Sequence, residues 1–324
     1  MRRGGEAHLS GAPSGLTGRG SAPSRTRQSP MNNRPECIPC CLRRVLHFAE
    51  RSTADEWLHR RVLVEVMQDL ARVDDGATPA EVIHGAARKT LKTLGLTDPF
   101  LEEKKRWIHD APSQEEWIRS VVDGSTDPFL SALRLSAAAN ILDCELRQEI
   151  LPKGFSLKAL VEGLEKVPFN LEDAEELRES VQAAPSVLFI HDTAGELFFD
   201  KLLLEKFQKP SGSVVSVVRD VPFLADATRE DALAVGLDSV AQIVTVGIDC
   251  CGVPLSACSE EFREHYRKAA VVIAKGQACL ETLEGKDSEI DGKKKEIFFL
   301  LRVKCPLMAR HLGAAVGDSV LETG

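Results

Sequence analysis

From Ser186 to the C-terminus, short runs of β-forming residues alternate with segments of helical spacing, and this alternation constrains the fold more than any other feature of the 324-residue chain. Candidate strands are 186–190, 213–218, 242–247, 270–274, 296–302 and 318–321. Helices follow near 195–208, 229–236, 260–268, 277–284 and 306–312. Strands separated by helices cannot pair as hairpins. They build a largely parallel sheet whose crossovers cover both faces. From Pro35 to about Ala184 the pattern is instead mostly helical, with apolar positions at helical period in 41–51, 55–73, 79–94, 114–122 and 130–146. The fold expected is α/β, a helical N-terminal region (35–184) packed on a three-layer α/β/α body (185–324).

Residues 1–34 stand apart. The first thirty hold six Gly, five Ser and three Pro, with five Arg against one Glu. That composition reads as a disordered tail, with Met31 directly behind it as an alternative start. The tail carries about +4, leaving roughly −12 on the rest. An acidic body argues against nucleic-acid binding, so any phosphate site is a local basic spot. No apolar run approaches the roughly 20 residues of a membrane helix. Nine cysteines, an odd number scattered without a secretory signal, read as reduced cytoplasmic thiols. The Cys37-x-x-Cys40 pair is a weak zinc or redox signal, because no second such pair exists, and a structural role is expected.

The stretch Val187–Asp200, VLFIHDTAGELFFD, passes from a buried strand through a tight turn into a helix. Its turn residues then lie at the carboxyl edge of the sheet, where open α/β folds bind ligands. Asp192 sits at that turn. Taken alone it reads better as a helix cap. A second strand, Ser213–Val218, leads through Arg219 to Asp226-Ala227-Thr228 and another helix, so two parallel strand ends can bring Asp192 and Asp226 together. Asn140 and Asp143, three residues apart on an Ala- and Leu-rich helix, share one face.

These segments resemble the damage-control phosphatases. The family's Asp-Asn-Ala-Gly-Glu box is matched by Asp192-Thr193-Ala194-Gly195-Glu196, and its Asn-Asp-Ala-Thr box by Ala225-Asp226-Ala227-Thr228. Its Lys-Gly-Gln-Gly-Asn box is matched by Lys275-Gly276-Gln277-Ala278-Cys279, with Glu281 behind. Ala139-Asn140-Ile141-Leu142-Asp143, Cys37-Ile38-Pro39-Cys40 and Lys304-Cys305-Pro306 match in order as well. The resemblance implies a phosphatase of small phosphorylated metabolites, sugar phosphates or damaged derivatives, that uses a divalent metal such as Mn, Co, Ni or Mg. It implies that Asp192, Thr193 and Asp226 hold the metal, with Asp192 and Asp226 the catalytic pair. Lys275, assisted by Arg219, would contact the substrate phosphate, and Asn140 and Asp143 would line the wall. Four departures fall near this site: Thr193 for Asn, Ala225 for Asn, Ala139 for Gly, and Ala278-Cys279 for Gly-Asn. A non-catalytic protein that keeps the cleft as a binding site is the alternative. Loss of Asp226 is expected to remove a ligand and little packing.

Overall fold

The computed structural model of the chain describes residues 31–142, 156–164, 169–286, 288–290 and 292–324. The tail 1–30 and Asp143 lie outside them. The N-terminal region is helical as expected: α1 (Cys37–Ser52), α2 (Glu56–Leu70), α3 (Pro79–Leu94), α4 (Leu101–Asp110), α5 (Glu115–Asp123), α6 (Pro128–Ala139), α7 (Leu157–Glu162) and α8 (Leu171–Ala183). The periodicity singles out neither α4 nor α8. Of the ten residues of α4 only Lys104 and Trp107 are buried, which leaves too narrow an apolar stripe to read. Helix α6 stops at Ala139, short of the expected span. Asn140 is its C-cap and not an interior position.

The body is laid out as β1 (Val187–Ile190), α9 (Leu197–Lys206), β2 (Val214–Val218), α10 (Arg229–Ala234), β3 (Gln242–Thr245), α11 (Glu260–Lys268), β4 (Val271–Lys275), α12 (Gln277–Leu283), β5 (Glu296–Arg302), α13 (Pro306–Leu312) and β6 (Ser319–Thr323). Among the described residues the sheet has six strands in the order β3-β2-β1-β4-β5-β6. All neighbours run parallel except β5 and β6. The order reverses between β1 and β4, which opens a crevice at their carboxyl ends.

Alternation along the strands divides the core into two faces. Val187, Phe189, Ile273, Phe298 and Leu300 pack with residues of α4 to α9. Leu188, Ile190, Val272, Phe299 and Leu301 face Phe262 and Tyr266 of α11, Leu280 of α12 and Met308 of α13. These are the three layers. Helices α1 to α3 keep a separate small core of Cys41, Val45, Val62, Val66, Val82, Ile83 and Ala86. Helix α3 is fixed at both ends, by a Thr78–Glu81 capping box and by Gly95 in the left-handed conformation.

Candidate active site

The two aspartates are brought together by main-chain bonds. Beyond β1 and β2 the chain forms a short ladder: Ala227 N–H donates to Asp192 O (2.9 Å) and Ala194 N–H to Ala225 O (2.9 Å), with Thr193 opposite Asp226. Because backbone alone sets this spacing, Ala225 fulfils its part without an amide side chain. Asp192 is not the cap of the following helix. Thr193 takes that role in a capping box with Glu196, whose Oε1 accepts from the Thr193 N–H (2.8 Å) and hydroxyl (3.0 Å). The Thr193 hydroxyl is thereby turned towards Glu196.

Each aspartate is held from behind by a group the sequence placed at the substrate. The Asn140 amide donates to Asp192 Oδ2 (2.9 Å) and to Glu196 Oε1 (3.0 Å), while its carbonyl accepts from Arg302 N–H (3.2 Å). Asn140 is fully buried and braces Asp192 without lining the cavity. Arg219 donates from Nε to Asp226 Oδ2 (2.6 Å) and from Nη1 to Gly252 O (2.6 Å). Burial opposes its charge, but Asp226 more than restores it. Arg219 too sits behind its carboxylate.

Lys275 is the clearest correction. It is the last residue of β4, where the sequence placed it just past the strand, and its side chain is 0% exposed with its ammonium pointing into the protein. It bonds Glu196 Oε2 (2.7 Å), Asp200 Oδ1 (2.7 Å), and the carbonyl (2.8 Å) and hydroxyl (2.9 Å) of Ser136. An ammonium has three protons to give, so this one is fully engaged under the site. Burial opposes ionisation of both Lys275 and Asp200, but their mutual attraction outweighs it, holding the lysine up and the carboxyl down. His191 closes the cluster, with Nδ1 2.9 Å from Asp200 Oδ2 and Nε2 3.1 Å from Ser216 Oγ.

A cavity of about 560 Å³ opens over the aspartates, between α1 and α3 on one side and the sheet edge on the other. Asp192, Thr193, Asp226, Gln277, Glu281 and Lys304 line its sheet side. Cys37, Cys40, Arg43 and Arg44 of α1 and Pro79, Ala80 and Ile83 of α3 line the other, and Phe223 and Leu224 add an apolar wall. Lys304 Nζ lies 3.7 Å from Asp192 Oδ2. It stands two residues past β5, the same strand-end position that marks Asp192, and that was the signal available for it. The two sides are clasped by Arg88 and His84 of α3 on Asp249, and by Arg310 on Glu36.

The chemistry of this set can be tested against a divalent cation. Asp192 and Asp226 are hard oxygen donors, and Mg²⁺-type sites in phosphoryl chemistry use one or two carboxylates with water and substrate oxygens. The pair fits that use. Among the described residues no group of three or more His, Cys, Asp and Glu is placed to hold an ion by protein ligands alone, Cys37 and Cys40 included. Cys279, where the family carries Asn, is buried beside Arg219, Asp192 and Asp226. Burial pushes its thiol far up, so it contributes no charge.

Burial, helped by the Asp192 charge, pushes the Glu281 carboxyl from 4.5 to about 8, against the pull of Arg44 and the Ala80 N–H. A carboxyl raised on folding stabilises fully below its unfolded value, and that stability is lost as pH rises through the folded one. Between about pH 4.5 and about pH 8 this group should lower stability by up to about 1.4 kcal/mol per pH unit. Glu281→Gln is expected to flatten that decline in denaturant titrations at about pH 5 and about pH 8. A variant that keeps the parent's slope would assign it to other groups.

A family model, the damage-control phosphatase ARMT1-like domain, matches residues 34–320. A damage-control phosphatase of Pyrococcus horikoshii is 34% identical over 294 residues, which is 88% of this chain and 96% of the relative. One from Archaeoglobus fulgidus is 31% identical over 292 residues, 88% and 97% of the two chains. The crystal structure of a DUF89 family protein from Pyrococcus horikoshii superposes with a TM-score of 0.74 at 33% identity, covering 90% of this chain and 99% of that one. The family model over residues 34–320, relatives above 30% identity along nearly the whole length and a superposable structure agree: the chain belongs to the damage-control phosphatase ARMT1-like domain family.

Proposed function

We propose that the protein is a metal-dependent phosphatase of small phosphorylated metabolites, sugar phosphates or damaged phosphometabolites, and that Asp192 and Asp226 are its metal ligands. The observation that carries this reading is the carboxylate pair, set by backbone bonds at the end of a cavity of about 560 Å³. That volume accommodates a small metabolite. A divalent ion held there (Mn, Co, Ni or Mg) supplies charge neutralisation to the phosphoryl oxygens. The chain's own residues do the rest. Asn140 and Arg219 keep the two carboxylates aimed, so little reorganisation accompanies binding. Lys304, at the same end of the cavity, presents a positive charge to a phosphoryl group. Phe223, Leu224 and Ile83 exclude water from the substrate's carbon skeleton. Thr193 shapes the floor through its capping box, in place of the family's amide.

No helix among the described residues is long and apolar enough to cross a membrane. The eight described cysteines are free thiols, which supports a reducing, cytoplasmic setting.

The test is hydrolysis of an aryl phosphate with added Mn²⁺, Co²⁺, Ni²⁺ or Mg²⁺ against a chelator control. Turnover is expected with metal and is expected to vanish with chelator. Asp192→Asn should lower it by at least roughly 100-fold, since even groups that only support a metal site are worth 10–100-fold. Turnover indifferent to chelator would sink the metal assignment. A folded protein inert with every metal would favour the non-catalytic reading.

A further inference from the structure

We propose that Lys275 is a positioning residue, which acts through Glu196 and Asn140 to fix the Asp192 carboxylate. This rests on the reading of Asp192 as a metal ligand. The path is continuous and buried at every step. Lys275 Nζ holds Glu196 Oε2 at 2.7 Å. Glu196 Oε1 receives the Asn140 amide at 3.0 Å and the Thr193 N–H at 2.8 Å. The same Asn140 amide reaches Asp192 Oδ2 at 2.9 Å. Lys275, Glu196, Asp200 and Asn140 are all 0% exposed.

An ionised carboxylate in such a dry place persists only with a compensating charge and a full set of donors. Without Lys275, Glu196 Oε2 would lose the ammonium that fixes it at 2.7 Å. Released on that side, the Glu196 carboxylate would be free to turn and would no longer hold the Thr193 N–H and the Asn140 amide together through Oε1. Asn140 would then lose one of the two carboxylates that set its amide plane, and Asp192 would lose its fixed direction. The second carboxylate, Asp200, does not take this path. It accepts from Ser136 Oγ (2.5 Å) and faces His191, which anchors the far side of the ammonium to α6 and β2. The lysine thus tunes the metal ligand from beneath, in the way outer groups around metal sites orient the ligands they touch.

The experiment is direct titration of Mn²⁺ into the full chain without substrate, together with inhibition of aryl phosphate turnover by inorganic phosphate. Lys275→Met is expected to weaken Mn²⁺ binding by roughly 10- to 100-fold. Turnover should recover at saturating Mn²⁺, and the inhibition constant for inorganic phosphate should stay within about twofold of the parent's. A lysine that touched the phosphate would give the opposite split, with weakened phosphate inhibition and unchanged metal affinity, and that result would overturn the proposal. Asn140→Ala should weaken Mn²⁺ binding to a similar degree. The double variant should be little worse than either single, because both lie on one path, and fully additive losses would also overturn it. If Lys275→Met alone does not fold, Lys275→Met with Glu196→Gln removes both charges together, and the cycle of Glu196→Gln with Asn140→Ala carries the same additivity test. A parent protein that binds no Mn²⁺ overturns the metal reading and this proposal together. A parent that binds it, with variants that bind equally well, overturns the positioning role alone.

Discussion

Replacing Gly276 with alanine is expected to abolish turnover and Mn²⁺ binding and to lower stability by at least about 1–3 kcal/mol. Gly276 joins β4 to α12 at φ +81° and ψ 164°, a region essentially reserved for glycine and costing other residues that amount. The larger effect is local. A Cβ at this position would come closer than 3.0 Å to all three atoms of the Asp192 carboxylate group. The carboxylate lies against bare backbone at the β1–β4 crevice, and moving it out of the way would break the bond from Asn140 to its Oδ2. The measurements are a melting curve and a Mn²⁺ titration of Gly276→Ala. A variant that binds Mn²⁺ like the parent would show that Asp192 moves freely, which contradicts the braced site described above.

Asp226→Ala is expected to eliminate metal-dependent turnover and, contrary to the sequence-level expectation, to cost about 3 kcal/mol of stability or more. Seen as a loop residue past a strand, Asp226 looked expendable for packing. In the structure it is the ionic partner of Arg219, and both side chains are under a tenth exposed. Removing one member of a buried pair leaves an uncompensated charge, which typically costs about 3–5 kcal/mol. Arg219 keeps only its bond to the Gly252 carbonyl and a long contact to Cys250. Chemical denaturation separates the two effects. Asp226→Ala with Arg219→Met should regain much of the lost stability while remaining inactive. A single variant as stable as the parent would mean that water reaches the guanidinium and that the pair is not sealed.

What could be read from the chain follows from which signals are local. Three of the six described strands carry unbroken apolar runs, Val187–Ile190, Val271–Ala274 and Ile297–Leu301, buried on both faces, and these show without knowledge of the fold. The strand-end rule then located Asp192 and Asp226, and the ladder between 192–194 and 225–227 brings them together. Side-chain direction is not local. Lys275 and Arg219 were found at the right strand ends and Asn140 on the right helix, though as an interior position where it is in fact the C-cap, but whether each faces the cavity or the interior depends on partners up to 162 residues away, such as Arg302 on Asn140. Ser136, Glu196 and Asp200 surround Lys275 only because α6 packs against α9 and against β5 and β6 beside β4. For the same reason Lys304 and Glu281 went without a role. Their meaning comes from the cavity, and half of that cavity belongs to α1 and α3.

The small core of α1 to α3 has a consequence for the cavity it borders. Most of the cavity wall from α1 and α3 rests on that small core, with Phe48, Ala87 and Leu91 tying it to the larger one, whereas the carboxylates and their braces are packed on the sheet. Substitutions at Arg43, Arg44 or Ile83 therefore reshape what the cavity admits without disturbing the backbone ladder that spaces Asp192 from Asp226.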